Sequence, residues 1–271
     1  MKKTYFSVFI MLLFLCPAAY SQSGAEEEIT KNFFVDLGAS YGDFQDTKYS
    51  DVKEGGMGGH FKLGYNNLKE GKHFWETGFL LNLTKENAET HDRGNSTVIY
   101  PNIYFKYLKG IGKKFYVGAR IDAFDTYVRI YPNLNNNSTF ATFGNHLYGS
   151  VLFKTRLNDH WRFKAVCDLA LIGIQNEGTG FAMSYSQNRI EKGGVDYQDN
   201  SMGNPYSYKY AEFKYVGNNL ILKTEYSFMF KDRFSFSYNW EMRHFAVVSG
   251  YPTNWGMHNI AVRFNIIHRK K

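Results

Sequence analysis

The stretch FSFSYNWEM at residues 234–242 places a bulky apolar side chain at every second position, with a small or polar side chain between them. A period of two residues is typical of a β-strand that has one apolar and one polar face. The same alternation recurs at 33–42, 57–65, 75–83, 99–107, 115–123, 150–156, 161–171, 220–228 and 259–266. The sequence therefore predicts ten strands. Most are about as long as the ~9–11 residues that a tilted strand needs to cross a membrane.

The composition supports this prediction and excludes other classes of protein. The 271 residues include 24 Phe, 21 Tyr and 25 Gly but only 5 Pro, a balance that favours β structure over helix. With 44% hydrophobic and 21% charged residues, the chain is not intrinsically disordered. A mean hydropathy of −0.42 excludes a bundle of transmembrane helices.

The first 21 residues have the pattern of a secretory signal peptide. Two lysines precede an apolar run at 5–15, and the small residues Ala19 and Ser21 follow it. Removal of residues 1–21 lowers the net charge from +7 to +5 and leaves Cys167 as the single cysteine. The mature chain is therefore predicted to form no internal disulfide.

The connections between the predicted strands alternate in length. Long connections are predicted at 43–56, 85–97, 126–146, 173–218 and 245–256, and short ones at about 67–72, 109–113, 158–160 and 230–232. Outer-membrane barrels combine short periplasmic turns with longer extracellular loops in this way. An even number of strands would place both termini on the periplasmic side. The predicted organisation is a signal peptide (1–21), a periplasmic extension (22–32), the barrel (33–267) and a basic tail (268–271).

Aromatic residues cluster at both ends of the predicted strands, as in the interfacial girdles of membrane barrels. Those near the short turns are Trp75, Tyr107, Phe115, Trp161, Phe230 and Phe234. Those near the long loops are Tyr41, Tyr127, Tyr131, Tyr148, Phe245, Tyr251 and Trp255.

Together, the signal peptide, the alternating strands and the closing segment 256–266 resemble a Gram-negative outer-membrane β-barrel protein. The last strand departs from the usual terminal aromatic residue, because five residues follow Ile266. Over residues 33–267 the resemblance implies an all-β, transmembrane, antiparallel up-and-down β-barrel of about ten strands. It would lie in the cell outer membrane, in contact with lipid and lipopolysaccharide. The alternative is a soluble secreted β-sandwich or lipocalin-like barrel, whose apolar face would point inward.

The polar strand faces predict a charged lumen. Its basic members would be Lys62, Lys106, Arg120, Lys154, Arg156, Arg162, Lys164, Lys223, Arg243 and Arg263. Its acidic members would be Asp36, Glu76, Asp122, Asp168, Glu225 and Glu241. A ten-stranded barrel is narrow, so these charges predict either a salt-bridged plug or a thin, anion-preferring passage. In one hairpin the spacing predicts like charges opposite each other, Lys154 with Lys164 and Arg156 with Arg162, which is unfavourable without further partners.

A hydrolase is the alternative function, acting on lipid or peptide at the rim. Its candidate residues are Asp122, Asp125, His146, His244 and His258. The paired Asp-Asp and Asp-His motifs of omptin-type proteases are not matched. In the His-x-Ser pattern of outer-membrane deacylases, Ala246 follows His244 at the serine position. No spacing predicts a metal site or a cofactor.

The fourth long connection, 173–218, is rich in tyrosine among small polar residues, a composition suited to contact surfaces. The candidate contact residues are Tyr185, Tyr197, Tyr206, Tyr208, Tyr210 and Tyr215. They predict recognition of a glycan, a small anionic solute or a partner protein, or else a self-packed cap over the barrel. The mildly basic pI of 9.1 does not indicate nucleic-acid binding. The favoured function is non-enzymatic, as a narrow, porin-like pore or a surface-recognition scaffold.

Overall fold

A computed structural model of the chain describes residues 29–46, 53–88, 95–131, 138–179, 212–231, 233–248 and 251–270. These residues form eleven β-strands. The strands are β1 (Ile29–Asp46), β2 (Glu54–Lys69), β3 (His73–Ala88), β4 (Ser96–Gly110), β5 (Phe115–Tyr131), β6 (Ser138–Arg156), β7 (Trp161–Thr179), β8 (Glu212–Tyr215), β9 (Asn219–Phe230), β10 (Phe234–Val248) and β11 (Tyr251–Lys270). Within these described ranges, no helix is long and apolar enough to cross a membrane.

The strands close into a single antiparallel barrel. Each strand pairs with the next one in the chain, except that β9 pairs with β7 rather than with β8, and β1 also pairs with β11, which removes both edges of the sheet. The short β8 and the longer β9 lie one after the other along β7, so they share one position in the ring. The prediction of a ten-stranded, up-and-down barrel is confirmed.

The apolar strand faces point outward. On β11, for example, Ile260 and Ile266 are exposed while the alternate Arg263 is buried. Near the short connections, each of the ten ring positions carries an outward aromatic side chain: Phe33, Tyr65, Trp75, Tyr107, Phe115, Phe153, Phe163, Phe228, Phe234 and Phe264. Many of these rings touch across strands, with Phe115 and Phe153 centred 4.9 Å apart. A continuous aromatic belt therefore surrounds this end, which we call the turn end. The opposite end is called the loop end.

The strands are longer than predicted. They extend into every predicted long connection, leaving 47–53, 89–95, 132–137, 180–211 and 249–250 between them. At the termini, β1 already begins at Ile29 and β11 continues to Lys270, so parts of the predicted extension and tail belong to the barrel. The boundaries were wrong because the backbone ladder continues beyond the apolar alternation from which they were read. Only the connection at 180–211 is long.

A β-bulge interrupts the pairing of β5. Its neighbours on β4 pair with Asp122 and Phe124, so Ala123 is the extra residue. An extra residue reverses the facing of every side chain after it. Asp125, Tyr127 and Arg129 are therefore buried inside the barrel. Tyr127 was predicted to face outward in the girdle at the loop end. This prediction is wrong, because the bulge turns its side chain inward.

Two other residues assigned to that girdle also point inward. Tyr148 is fully buried, and Trp255 is 4% exposed in a cluster with Phe44, Tyr100 and Tyr127. Tyr148 follows the inward alternation of β6, and Trp255 that of β11, because these strands continue into the predicted loops. Tyr41 does face outward. Aromatic rings are thus packed inside the described part of the barrel toward the loop end.

Candidate functional site

The lumen is filled by charged side chains, and the first group of them lies toward the turn end. Arg263 on β11 forms a two-pronged ion pair with Asp36 on β1, at 2.7 and 2.8 Å, and its guanidinium lies 3.9 Å from the centre of the Phe34 ring. The same guanidinium is 3.7 Å from Glu225. Asp36 and Arg263 are directly opposite each other on neighbouring strands, and Glu225 reaches them from β9, two strands away from β11.

Lys62 links this ion pair to β3 and β9. Its Nζ lies 3.3 Å from Glu76 and 3.4 Å from Glu225, and Lys164 pairs with Glu225 from the other side. The Tyr104 hydroxyl donates to Glu76 at 2.6 Å. We call the six charged residues of this group the turn-side cluster: Asp36, Lys62, Glu76, Lys164, Glu225 and Arg263.

The second group surrounds the bulge of β5. Asp122 receives Arg120 at 2.6 Å and Lys223 at 2.7 Å, while the Asn102 amide donates to it at 3.0 Å. Arg120 also reaches Asp168 at 3.1 Å, and Lys106 reaches the same carboxylate at 2.8 Å. Asp122, beside the bulge, therefore lies between one cation of its own strand and one cation of β9.

Arg243 completes this second group. Its Nη2 lies 2.6 Å from Asp125 and 2.6 Å from Glu241, and it donates to the Tyr100 hydroxyl at 2.8 Å. Lys223 is 3.2 Å from Glu241. We call the eight charged residues the loop-side cluster: Lys106, Arg120, Asp122, Asp125, Asp168, Lys223, Glu241 and Arg243.

These two clusters are electrically balanced in the part of the chain that the structure describes. The turn-side cluster has three bases and three acids, and the loop-side cluster has four of each. The prediction of ten bases against six acids omitted Asp125, whose facing depends on the bulge. It also included residues that lie outside both clusters. These two clusters therefore present no dominant sign of charge that would select anions.

Three predicted lumen bases lie near the turn between β6 and β7. Lys154 is opposite Lys164, and Arg156 is opposite Arg162, so the predicted register is confirmed. Lys154 and Arg162 are half-buried. Arg156 is not in the lumen, because its side chain is 62% exposed and pairs with Asp159 in the turn at 2.8 Å. Alternation placed it inside, but it is the last residue of its strand and lies beyond the enclosed interior.

Both ends of the interior are packed. Toward the loop end, the fully buried Arg129 pairs with Glu54 and Glu86, and its guanidinium lies 4.1 Å from the centre of the Phe44 ring. The turn end holds an apolar cluster of Leu68, Phe74, Leu108, Tyr116, Leu152 and Val166. The sequence prediction missed Arg129 because its facing depends on the bulge. It also missed Tyr100, Asn102 and Tyr104 as members of the site, although they share the inward alternation of Lys106.

Between the two clusters lies a cavity of about 50 Å³. Its walls include charged residues of both clusters together with Asn82 and Asn102. This volume is far below the size of an ordinary ligand pocket, which is about 300–1,000 Å³. The space between the two clusters is therefore too small for an ordinary ligand.

The candidate catalytic residues fall into two separated sets. Asp125 and His146 meet inside the barrel, with Nδ1 of the imidazole 3.0 Å from the carboxylate, and Asp122 lies in the same cluster. His244 and His258 face outward on β10 and β11, where they contact Asn254 and Tyr238 at 2.7 Å. The barrel wall separates the two sets, so the five residues do not form one site. Among the described residues no group of three or more acidic, His or Cys side chains is placed to hold a metal ion.

Of the predicted contact tyrosines, the structure describes Tyr215. It lies on β8 with its side chain facing outward and 50% exposed, next to the exposed Phe213. The other five lie outside the described residues: Tyr185, Tyr197, Tyr206, Tyr208 and Tyr210.

No protein-family model and no curated protein sequence matches the chain. Solved structures similar to it include Neisserial surface protein A, with 9% identity over 88% of this chain and 99% of that chain, at a TM-score of 0.37. The β-domain of the Bordetella autotransporter BrkA is 10% identical over 86% and 98%, at 0.40. Ail of Yersinia pestis, in complex with the heparin analogue sucrose octasulfate, is 10% identical over 89% and 100%, at 0.33. All three are outer-membrane barrels of Gram-negative bacteria. The fold assignment rests on the chain's own strand order and on the pairing of β1 with β11.

Proposed function

We propose that the chain is an outer-membrane barrel without catalytic function, whose ion-paired interior plugs the lumen and whose loop end serves in recognition at the cell surface. The observation that carries this proposal is the neutral pairing of the two clusters that fill the lumen. In these clusters seven bases pair with seven acids, and the cavity between the clusters is only about 50 Å³.

The proposed membrane location follows from which face is apolar. A soluble sandwich or lipocalin-like barrel would bury its apolar side chains, whereas here they cover the outside and charged groups fill the inside. The aromatic belt at the turn end matches an interfacial girdle. The barrel's first and last strands both have their free ends at the turn end, beside the short connections. We therefore place both termini in the periplasm, after export directed by residues 1–21.

Conductance in planar lipid bilayers tests the plug. We expect the wild-type barrel to give no stable current steps, because balanced charges and close packing leave no continuous aqueous path. A variant in which Lys106, Arg120, Asp122 and Asp168 are all serine should conduct, since it removes two bases and two acids, a neutral set, from the middle of the plug. The matched control is Arg156→Ala, which alters an exposed charge outside the plug. Wild-type current with anion preference would show instead that the barrel is a narrow pore.

Replacing residues 180–211 with a short Gly-Ser linker tests recognition. The replacement keeps β8, which pairs with β7 and belongs to the barrel wall. Binding to a glycan array and to lipopolysaccharide micelles is measured for both proteins. The replacement should abolish any binding of the wild type while the barrel still folds. Binding that survives it would place recognition elsewhere on the molecule.

The hydrolase alternative receives less support from the geometry. Asp125 and His146 are 1% and 2% exposed, and Asp125 is already paired with Arg243. General acid–base catalysis requires that substrate and water reach such groups. We expect purified protein to release no fatty acid from lipopolysaccharide or phospholipid and to cleave no peptide. An activity lost in His146→Ala or Asp125→Asn would reverse this conclusion.

A further inference from the structure

The cavity between the two charged clusters has polar walls with hydrogen-bonding groups that the protein itself leaves unused. Asn82 and Asn102 both line it, and both are 1% exposed. The Oδ1 atom of Asn102 and the Nδ2 atom of Asn82 have no hydrogen-bond partner within the described protein. Buried polar groups are rarely left in this state, because the lost hydrogen bonds to water are not replaced.

The orientation of the Asn102 amide is determined by its neighbours. Its Nδ2 donates to Asp122 at 3.0 Å and to Asp125 at 3.2 Å. Turning the amide over would direct its oxygen at two carboxylates, so Oδ1 has to remain the unused acceptor. On the neighbouring strand, Asn82 Oδ1 accepts from the Ser40 hydroxyl at 3.2 Å and contacts His60 Nδ1 at 2.7 Å, which leaves Nδ2 as the unused donor.

The charges around the cavity decide what could occupy it. Lys62, Lys106 and Lys223 line the wall and would repel a cation, whereas Glu76 and Asp168 on the same wall would repel an anion. The occupant therefore has to be neutral, and it has to donate as well as accept. A volume of about 50 Å³ holds about three or four water molecules at ~12–15 Å³ each.

We propose that this cavity is an internal hydration site, in which three or four ordered water molecules complete the hydrogen bonding of Asn82 and Asn102 and connect the two charged clusters. The waters would be part of the plug and would fill the space between its two charged clusters. The site does not depend on what the loop end recognises.

A crystal structure at a resolution that shows ordered water, with a second crystal pressurised with xenon, tests the proposal. We expect water within hydrogen-bond distance of Asn102 Oδ1 and Asn82 Nδ2, and no xenon in the cavity. Xenon enters dry apolar cavities, so xenon density at this site would overturn the proposal. A cavity empty in both crystals would overturn it as well.

Variants of the cavity wall give a second measurement. Val166 lines the cavity, and Val166→Leu should displace at least one of the waters. Val117→Leu, at a position that faces outward on β5, is the matched control and should leave all of them in place. Leu80→Ala enlarges the cavity from another wall and should add water. Unchanged solvent in both wall variants would contradict the proposal.

Discussion

The inner and outer faces of β11 differ in how their side chains are accommodated. Arg263, facing inward, is 3% exposed and forms a two-pronged ion pair with Asp36. Ile260, three residues away and facing outward, is 69% exposed and belongs to an apolar surface that encircles the barrel. The inner face replaces water with ion pairs, whereas the outer face is suited to a surrounding that offers no hydrogen bonds. A single substitution should therefore have very different effects on the two faces.

The largest effect is expected at the bulge of β5, which determines which side chains face the lumen and which face outward. Deleting Ala123 removes the bulge of β5 and reverses the facing of residues on one side of it. Asp125 and Arg129 would then point toward lipid, or the residues before the bulge would. We expect the deletion variant not to fold into the barrel, as measured by the mobility of unheated protein on an SDS gel and by β-sheet circular dichroism. The control is the insertion of one alanine after Phe115, the first residue of β5. This insertion should have a milder effect, because it lies next to the turn. Native mobility of the deletion variant would show that the bulge does not determine which side chains face the lumen.

The bulge also explains which features of the fold and of the charged interior could be predicted from the sequence. Strand number, antiparallel order and the direction of the apolar faces follow from a period of two, which ten segments repeat. The alternation cannot reveal an inserted residue, so the inward facing of Asp125, Tyr127 and Arg129 was not predicted. The pairing of Asp36 with Arg263 was also beyond the sequence, because these residues are 227 positions apart and meet only where β1 pairs with β11. Such a pairing is a property of barrel closure.

Breaking a single ion pair on the inner face should be the next largest effect. Arg263→Leu leaves the fully buried carboxylate of Asp36 without its two-pronged partner. Removing one member of a buried pair typically costs about 3–5 kcal/mol of unfolding free energy. Urea-induced unfolding in lipid vesicles measures it. The double variant Asp36→Asn with Arg263→Leu should recover part of the loss, since no uncompensated charge remains. Equal stability of the single and double variants would show that the charge left behind is not the cause.

The cost of placing a charge on the outer face should depend on its depth in the proposed membrane. Ile260→Arg places a charge about four residues along β11 from the aromatic belt at Phe264, within the proposed lipid-facing zone. Such a charge costs about 2–4 kcal/mol near the middle of a membrane and about 0–1 kcal/mol near its surface. Ile266→Arg, at the turn end of the same strand, should therefore cost much less. Equal losses at the two positions in vesicle unfolding experiments would argue against the proposed membrane location.

The smallest effect should come from Arg156→Ala, although alternation alone assigns this arginine to the same charged lumen as Arg263. Its side chain is 62% exposed, and that of its partner Asp159 is 86% exposed. Exposed ion pairs typically contribute between 0 and about 1 kcal/mol, because water already solvates both groups. We expect a change of less than about 0.5 kcal/mol in unfolding free energy. Asp159→Ala should match it, because both residues belong to the same solvated turn. A loss of several kcal/mol for Arg156→Ala alone would place this side chain among the buried charges and would shift the boundary of the plug toward the turn end.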